Sequence, residues 1–158
     1  MYKVTATEKW INTHYLANGI LTPEDIDTER FAAYFDIKVI YRPMPARYDM
    51  FGDYMSIVLD SRQSKEEIKE QFFRMLYFIM FCRGHQTAID RNNVQKHYEK
   101  AITFTMYTTL PYFLVKQYEM CDPNIHEKLS NDFVVTEELC TKRIEGIRNR
   151  ILFESLKT

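Results

Sequence analysis

The sequence predicts a small, helix-rich α+β domain, and three observations predict it. One is a long apolar block over residues 64–86, SKEEIKEQFFRMLYFIMFCRGHQ, with helix signals at both ends. Another is a switch from helical spacing to strict alternation over residues 37–42 and again over 55–60, the period of strands. The third is the return of helical spacing from residue 93 onward, so that the C-terminal third reads as helix throughout. A chain of 158 residues can bury one real core. An apolar fraction of 46% with only four glycines and five prolines leaves little room for disorder.

Taken in order, residues 7–18 place Trp10, Ile11, Tyr15 and Leu16 on one helical face, and Gly19 ends the helix. Thr22-Pro23-Glu24-Asp25 reads as a second helix start, with Thr22 as cap, Pro23 at the first position and acids facing the helix dipole. That helix is expected to reach about Phe35, burying Ile26, Phe31 and part of Tyr34. Ile37, Val39 and Tyr41 then alternate with Lys38, Ile40 and Arg42, and Pro43 and Pro45 stop the strand. After a loop holding Gly52-Asp53, Met55, Ile57 and Leu59 alternate with Ser56, Val58 and Asp60. A two-stranded element is marginal alone, so this short antiparallel β element needs a helix across it.

The apolar block supplies that helix. Ser64 with Glu67 three residues on is a capping box, and Gly84 supplies the stop. Ile68, Phe72, Met75, Leu76, Ile79 and Met80 form one stripe, while Phe73, Tyr77, Phe78 and Phe81 put rings on the other sides. A helix apolar nearly all round must be buried. Arg74 is its one misfit. A further helix over residues 93–110 carries Val94, Tyr98, Ala101, Ile102, Thr105 and Met106, and Pro111 breaks it before a short helix at 112–118. Asp122-Pro123 starts another with Ile125 and Leu129. Phe133-Val134-Val135 leads to the last helix, from the Thr136 cap to about Leu156, with Ile144, Ile147 and Ile151 on its apolar face.

Several functions are disfavoured by composition. With 21 basic and 22 acidic residues the net charge is -1, unlike a protein that grips nucleic acid along its backbone. The basic residues Lys142, Arg143, Arg148, Arg150 and Lys157 of the last helix interleave with Glu137, Glu138, Glu145 and Glu154, the pattern of a solvated helix face. Asn124 to Asn131, a short link and the helix from Thr136 onward resemble a helix-turn-helix in outline, but DNA binding through them is the weaker alternative. Cys82, Cys121 and Cys140 are widely spaced and form no CxxC pair, as expected of free thiols in a reducing cytoplasm. Neither a signal-like run at residues 1–10 nor an apolar run long enough to span a bilayer occurs, so a cytoplasmic protein is expected.

No HExxH motif is present, and His14, His85, His97 and His126 share no helical turn. The best remaining metal-ligating set is Cys82, His85, His97 and Glu99, against which stands the simpler reading of exposed histidines at helix ends. No GxSxG elbow occurs, and a thiolate at Cys82 would be disfavoured in an apolar helix. Glycines are scattered singly, so no phosphate-binding loop is formed.

With these parts laid out, the chain resembles the ImmA/IrrE family of metallopeptidases from about Leu21 onward. ILTPEDIDTERFAAYFDIKVIY is similar to the family's entry helix and strand, and MSIVLDSRQSKEEIKEQFF to its second strand and the lead into its active-site helix. HYEKAITFTMYTTLP is similar to its second helix, with Ala101, Phe104 and Pro111 in register, and FVVTEELCTKRIEGIRNRI to its C-terminal helices. The resemblance implies a zincin-like domain over residues 1–120 and a helical extension over 121–158, packed as one compact unit. It also implies that the active-site motif has been erased. Where the family reads EQFFHELGH, Arg74 stands at the first metal-binding histidine, Met75 at the general-base glutamate and Phe78 at the second histidine. The acidic third ligand falls at Lys100, and Glu99 would point about 100° away around the helix. A guanidinium holds its proton at any ordinary pH and repels a dication, and neither Met nor Phe can do the missing work.

The expectation is therefore an inactive pseudo-peptidase of phage or mobile-element type, with no catalytic residues, no metal and no cofactor. It would bind a protein partner such as a helix-turn-helix repressor or a host regulator, through a groove holding Arg74, Phe78 and Phe81. The enzymatic alternative is a relocated zinc site that cleaves a repressor.

Overall fold

The protein is described by a computed structural model covering residues 1–82 and 91–158. Among the described residues it has seven α-helices and three strands, an α+β fold with a helical C-terminal part, as its spacing predicts. In chain order these are α1 (Ala6–Ala17), a 3-10 turn (Pro23–Asp25), α2 (Thr28–Tyr34), β1 (Lys38–Arg42), β2 (Arg47–Phe51) and β3 (Tyr54–Asp60). They are followed by α3 (Lys65–Phe81), α4 (Arg91–Thr109), α5 (Tyr112–Val115), α6 (Ile125–Phe133) and α7 (Glu137–Ser155). The chain divides into two compact units, Ile26–Thr105 and the pair of segments Met1–Asp25 and Met106–Thr158.

In the unit Ile26–Thr105, the sheet has the order β1-β3-β2. β1 runs parallel to β3, from Lys38 opposite Ser56 to Arg42 opposite Asp60, and β2 pairs antiparallel with β3. This corrects the expected antiparallel pairing of residues 37–42 with 55–60. The antiparallel partner of β3 lies in the stretch expected to be a loop. Gly52 has φ +57 between the paired residues Phe51 and Tyr54, so Gly52-Asp53 forms a two-residue hairpin loop with glycine at the first position. That hairpin takes one edge of β3, and β1 is left the other. As the central strand, β3 is buried on both faces from Ser56 to Asp60, so continuous burial replaces alternation.

The 3-10 turn corrects the expected second helix. Thr22 caps only one turn, because the Asp25 carboxylate takes the Leu21 and Thr22 amides and the Thr22 hydroxyl and folds the segment back on itself. α2 starts afresh under its own cap, Asp27, whose carboxylate accepts the Arg30 N–H at 3.0 Å. Ile26 and Phe31 are buried as expected, while Tyr34 is exposed. Phe31 meets Phe73 of α3 edge-on at 5.1 Å between ring centroids.

α3 packs on β2 and β3 and is buried along most of its length, from Lys69 to Phe73 and from Met75 to Ile79. Ser64 Oγ accepts the Glu67 N–H at 3.2 Å. The return bond of a full capping box is absent among the described residues, and Glu67 instead faces Arg74. The helix closes at Cys82, and the stop expected at Gly84 lies outside the described residues.

In the other unit, α1 begins under a complete capping box of Thr5 and Glu8. Ile11 and Tyr15 are buried, but Trp10 and Leu16, expected beside them, are exposed. The Tyr15 hydroxyl donates to the Thr108 carbonyl at 2.7 Å, and burial holds its pKa well above the usual phenol value. α6 packs on α7, and Leu129 and Phe133 of the one and Cys140, Ile144 and Ile147 of the other are buried. Their turn is strained, since Val134 sits in the left-handed region at φ 54, ψ 56. A β-branched residue pays heavily there. Val134→Gly is expected to raise stability by about 0.5–1 kcal/mol, read as a higher urea midpoint. A lower midpoint would mean that the contacts of the half-buried valine outweigh the strain.

Candidate functional site

The face of α3 at which the resemblance places a metal is filled with side chains that cannot hold one. Spacing puts Arg74, Phe78 and Phe81 on one side of the helix. Their surroundings differ. Phe78 is 8% exposed, stacked on Tyr48 of β2 at 5.7 Å and 4° and packed against Tyr98 of α4 at 5.7 Å and 60°. Met75, three residues earlier, is also buried. Arg74 keeps a quarter of its side chain exposed, and its Nη2 lies 3.8 Å from Glu67 Oε2, two turns earlier on the same helix. Phe81 is 55% exposed, with its covered part against Tyr77 and Phe104. Lys100 is exposed on α4. Of the three expected groove residues, Phe78 is therefore core, and only Arg74 and Phe81 offer surface.

The leftover ligand set is partly brought together. Cys82 Sγ and the Tyr77 hydroxyl lie 3.4 and 3.3 Å from the same atom, His97 Nδ1. Burial pushes the Cys82 thiol up, against a smaller lowering by Lys100, and burial with the nearby Cys82 pushes the Tyr77 phenol up. Both groups therefore hold their protons at neutral pH, and which of them donates to the ring depends on the imidazole tautomer. Cys82 also ends α3, where the negative end of the helix dipole opposes a thiolate. The pair is thus a poor nucleophile as it stands. Glu99 is exposed and faces Gln95 Nε2 at 3.5 Å, so it does not join the pair. His85 lies outside the described residues. Among those described, no three or more His, Cys, Asp and Glu side chains are grouped to hold a metal ion.

A second polar cluster, in the unit of α1 and α7, escaped the sequence reading. Glu8 is 2% exposed and pairs with Arg143 Nη2 at 2.7 Å and Arg150 Nη1 at 2.9 Å. The Tyr2 hydroxyl donates to Glu8 Oε1 at 2.5 Å and accepts from Arg150 at 2.8 Å. Arg143 is 1% exposed, donates through Nε to the Leu110 carbonyl at 2.9 Å and lies over the Tyr107 ring. The Tyr2 ring stacks on Tyr112 with centroids 3.9 Å apart. Burial pushes the Tyr2 phenol up to about 12. Arg143 and Arg150 therefore correct the expected solvated basic face of the last helix. Both pair with one internal anion, Glu8. A signal was present: Arg143 falls between Leu139 and Ile147 on the apolar stripe of α7, and Glu8 precedes Ile11 and Tyr15 on that of α1.

No family model matches the chain, and no solved structure matches it, so the ImmA/IrrE resemblance rests on the residues quoted above. Over 147 residues the chain is 25% identical to "Phage-like element PBSX protein XkdA" of Bacillus subtilis (strain 168), covering 90% of this chain and 73% of that protein. The chain is similar to a phage-element protein. That likeness supports an origin in a phage or mobile element. Among the described residues no helix is long and apolar enough to cross a membrane.

Proposed function

We propose that the protein is a non-catalytic, ImmA/IrrE-like regulator of phage or mobile-element type, which acts in the cytoplasm by binding a protein partner such as a helix-turn-helix repressor. The observation that carries this reading is the state of the α3 face. Arg74 is turned to Glu67, and Phe78 is packed between Tyr48 and Tyr98 where histidines would be needed. The similarity to a phage-element protein supports the setting. Arg74 and Phe81 are the contact residues proposed for the partner, because they keep exposed surface on that side of the helix.

Calorimetric titration against the repressor encoded by the same element tests the reading. Specific binding is expected, weakened about tenfold or more by Phe81→Ala with Arg74→Ala, a loss of about 1.4 kcal/mol. The absence of binding to that repressor and to any regulator of the host would sink it.

A second reading, a residual metallopeptidase, is favoured by the approach of Cys82 to His97. Its test is elemental analysis after zinc loading and dialysis. Stoichiometric zinc that disappears in His97→Ala would establish the site and displace the non-catalytic reading. We expect less than one zinc per ten chains, unchanged by the substitution, as an order of magnitude for two donors where structural zinc takes four.

A further inference from the structure

We draw no further inference here: the strongest candidate, the Cys82, Tyr77 and His97 side-chain cluster where the end of α3 meets α4, belongs to the site already described, and its internal hydrogen bonds do not point to a ligand.

Discussion

Glu8→Ala should lower the unfolding free energy by about 3–5 kcal/mol, the usual cost of stranding one partner of a buried ion pair. Among the described residues, the substitution leaves Arg143, 1% exposed, with the Leu110 carbonyl and the Tyr2 hydroxyl as its hydrogen-bond partners. The readout is the urea midpoint at unchanged slope. A change below about 1 kcal/mol would show that water reaches the guanidinium and that the cluster contributes no more than a surface pair. Replacing both partners, as Glu8→Leu with Arg143→Met, is expected to recover much of the loss, since two apolar side chains remove both desolvation costs. The same cluster sets an acid limit. Burial pushes the Glu8 carboxyl up, but the Thr5 amide, Tyr2 and Arg143 together outweigh it and leave the pKa below its ordinary 4.5. A carboxylate with a depressed folded-state value binds fewer protons when folded, so its contribution is full above pH 4.5 and is lost as pH falls through the lower value. In Glu8→Ala that part of the acid-induced decline should be missing.

Phe78→Ala should cost about 3–5 kcal/mol, the range for truncating a buried ring. Tyr48 and Tyr98 hold that ring from two elements, and Tyr77 adds an edge contact at 5.5 Å. A residue lining an open groove would give less than about 1 kcal/mol and would act on partner binding instead. The comparison with Phe81→Ala separates the two roles. Phe81, more than half exposed, should change stability by no more than about 1 kcal/mol. Equal losses for the two variants would mean that the two rings are buried alike, contrary to their exposures of 8% and 55%. The same packing argues that Phe78→His, introduced to rebuild a metal-binding motif, would first have to overcome the loss of a fitted core ring.

The long helix was legible because its signals are local. Ser64 caps it, and its stripe of Phe72, Leu76 and Ile79 is buried at 2% exposure or less. The strands were legible singly but not in their pairing. RYDMF alternates as β1 does, and Gly52-Asp53 between alternating runs is a hairpin signal, yet Pro43 and Pro45 just upstream made the stretch look like a loop. The parallel partnership of β1 and β3 follows only once β2 has claimed the other edge of β3. Thr22-Pro23 misled for a different reason: the same residues that start a helix also close a single turn when an Asp25 carboxylate reaches back to cap them. At the candidate site, the sequence placed Arg74, Met75 and Phe78 on the long helix, as the structure does. It could not say that Tyr48 covers Phe78, because that contact joins α3 to a strand not foreseen. Burial of Glu8 and Arg143 was hidden by distance, since each charge finds its counter-ion 135 residues away.

That separation has a consequence for the nascent chain on the ribosome. α1 can be wound under its own cap as soon as Thr5 and Glu8 are free of the exit tunnel, but its buried anion has no counter-ion until Arg143 and Arg150 have been translated. Until then, burying Glu8 would leave its carboxylate without either guanidinium, at a cost of several kcal/mol. The segment Ile26–Thr105 is contiguous and is complete earlier in translation. Closure of this cluster therefore waits on α7, the helix that carries both guanidinium groups.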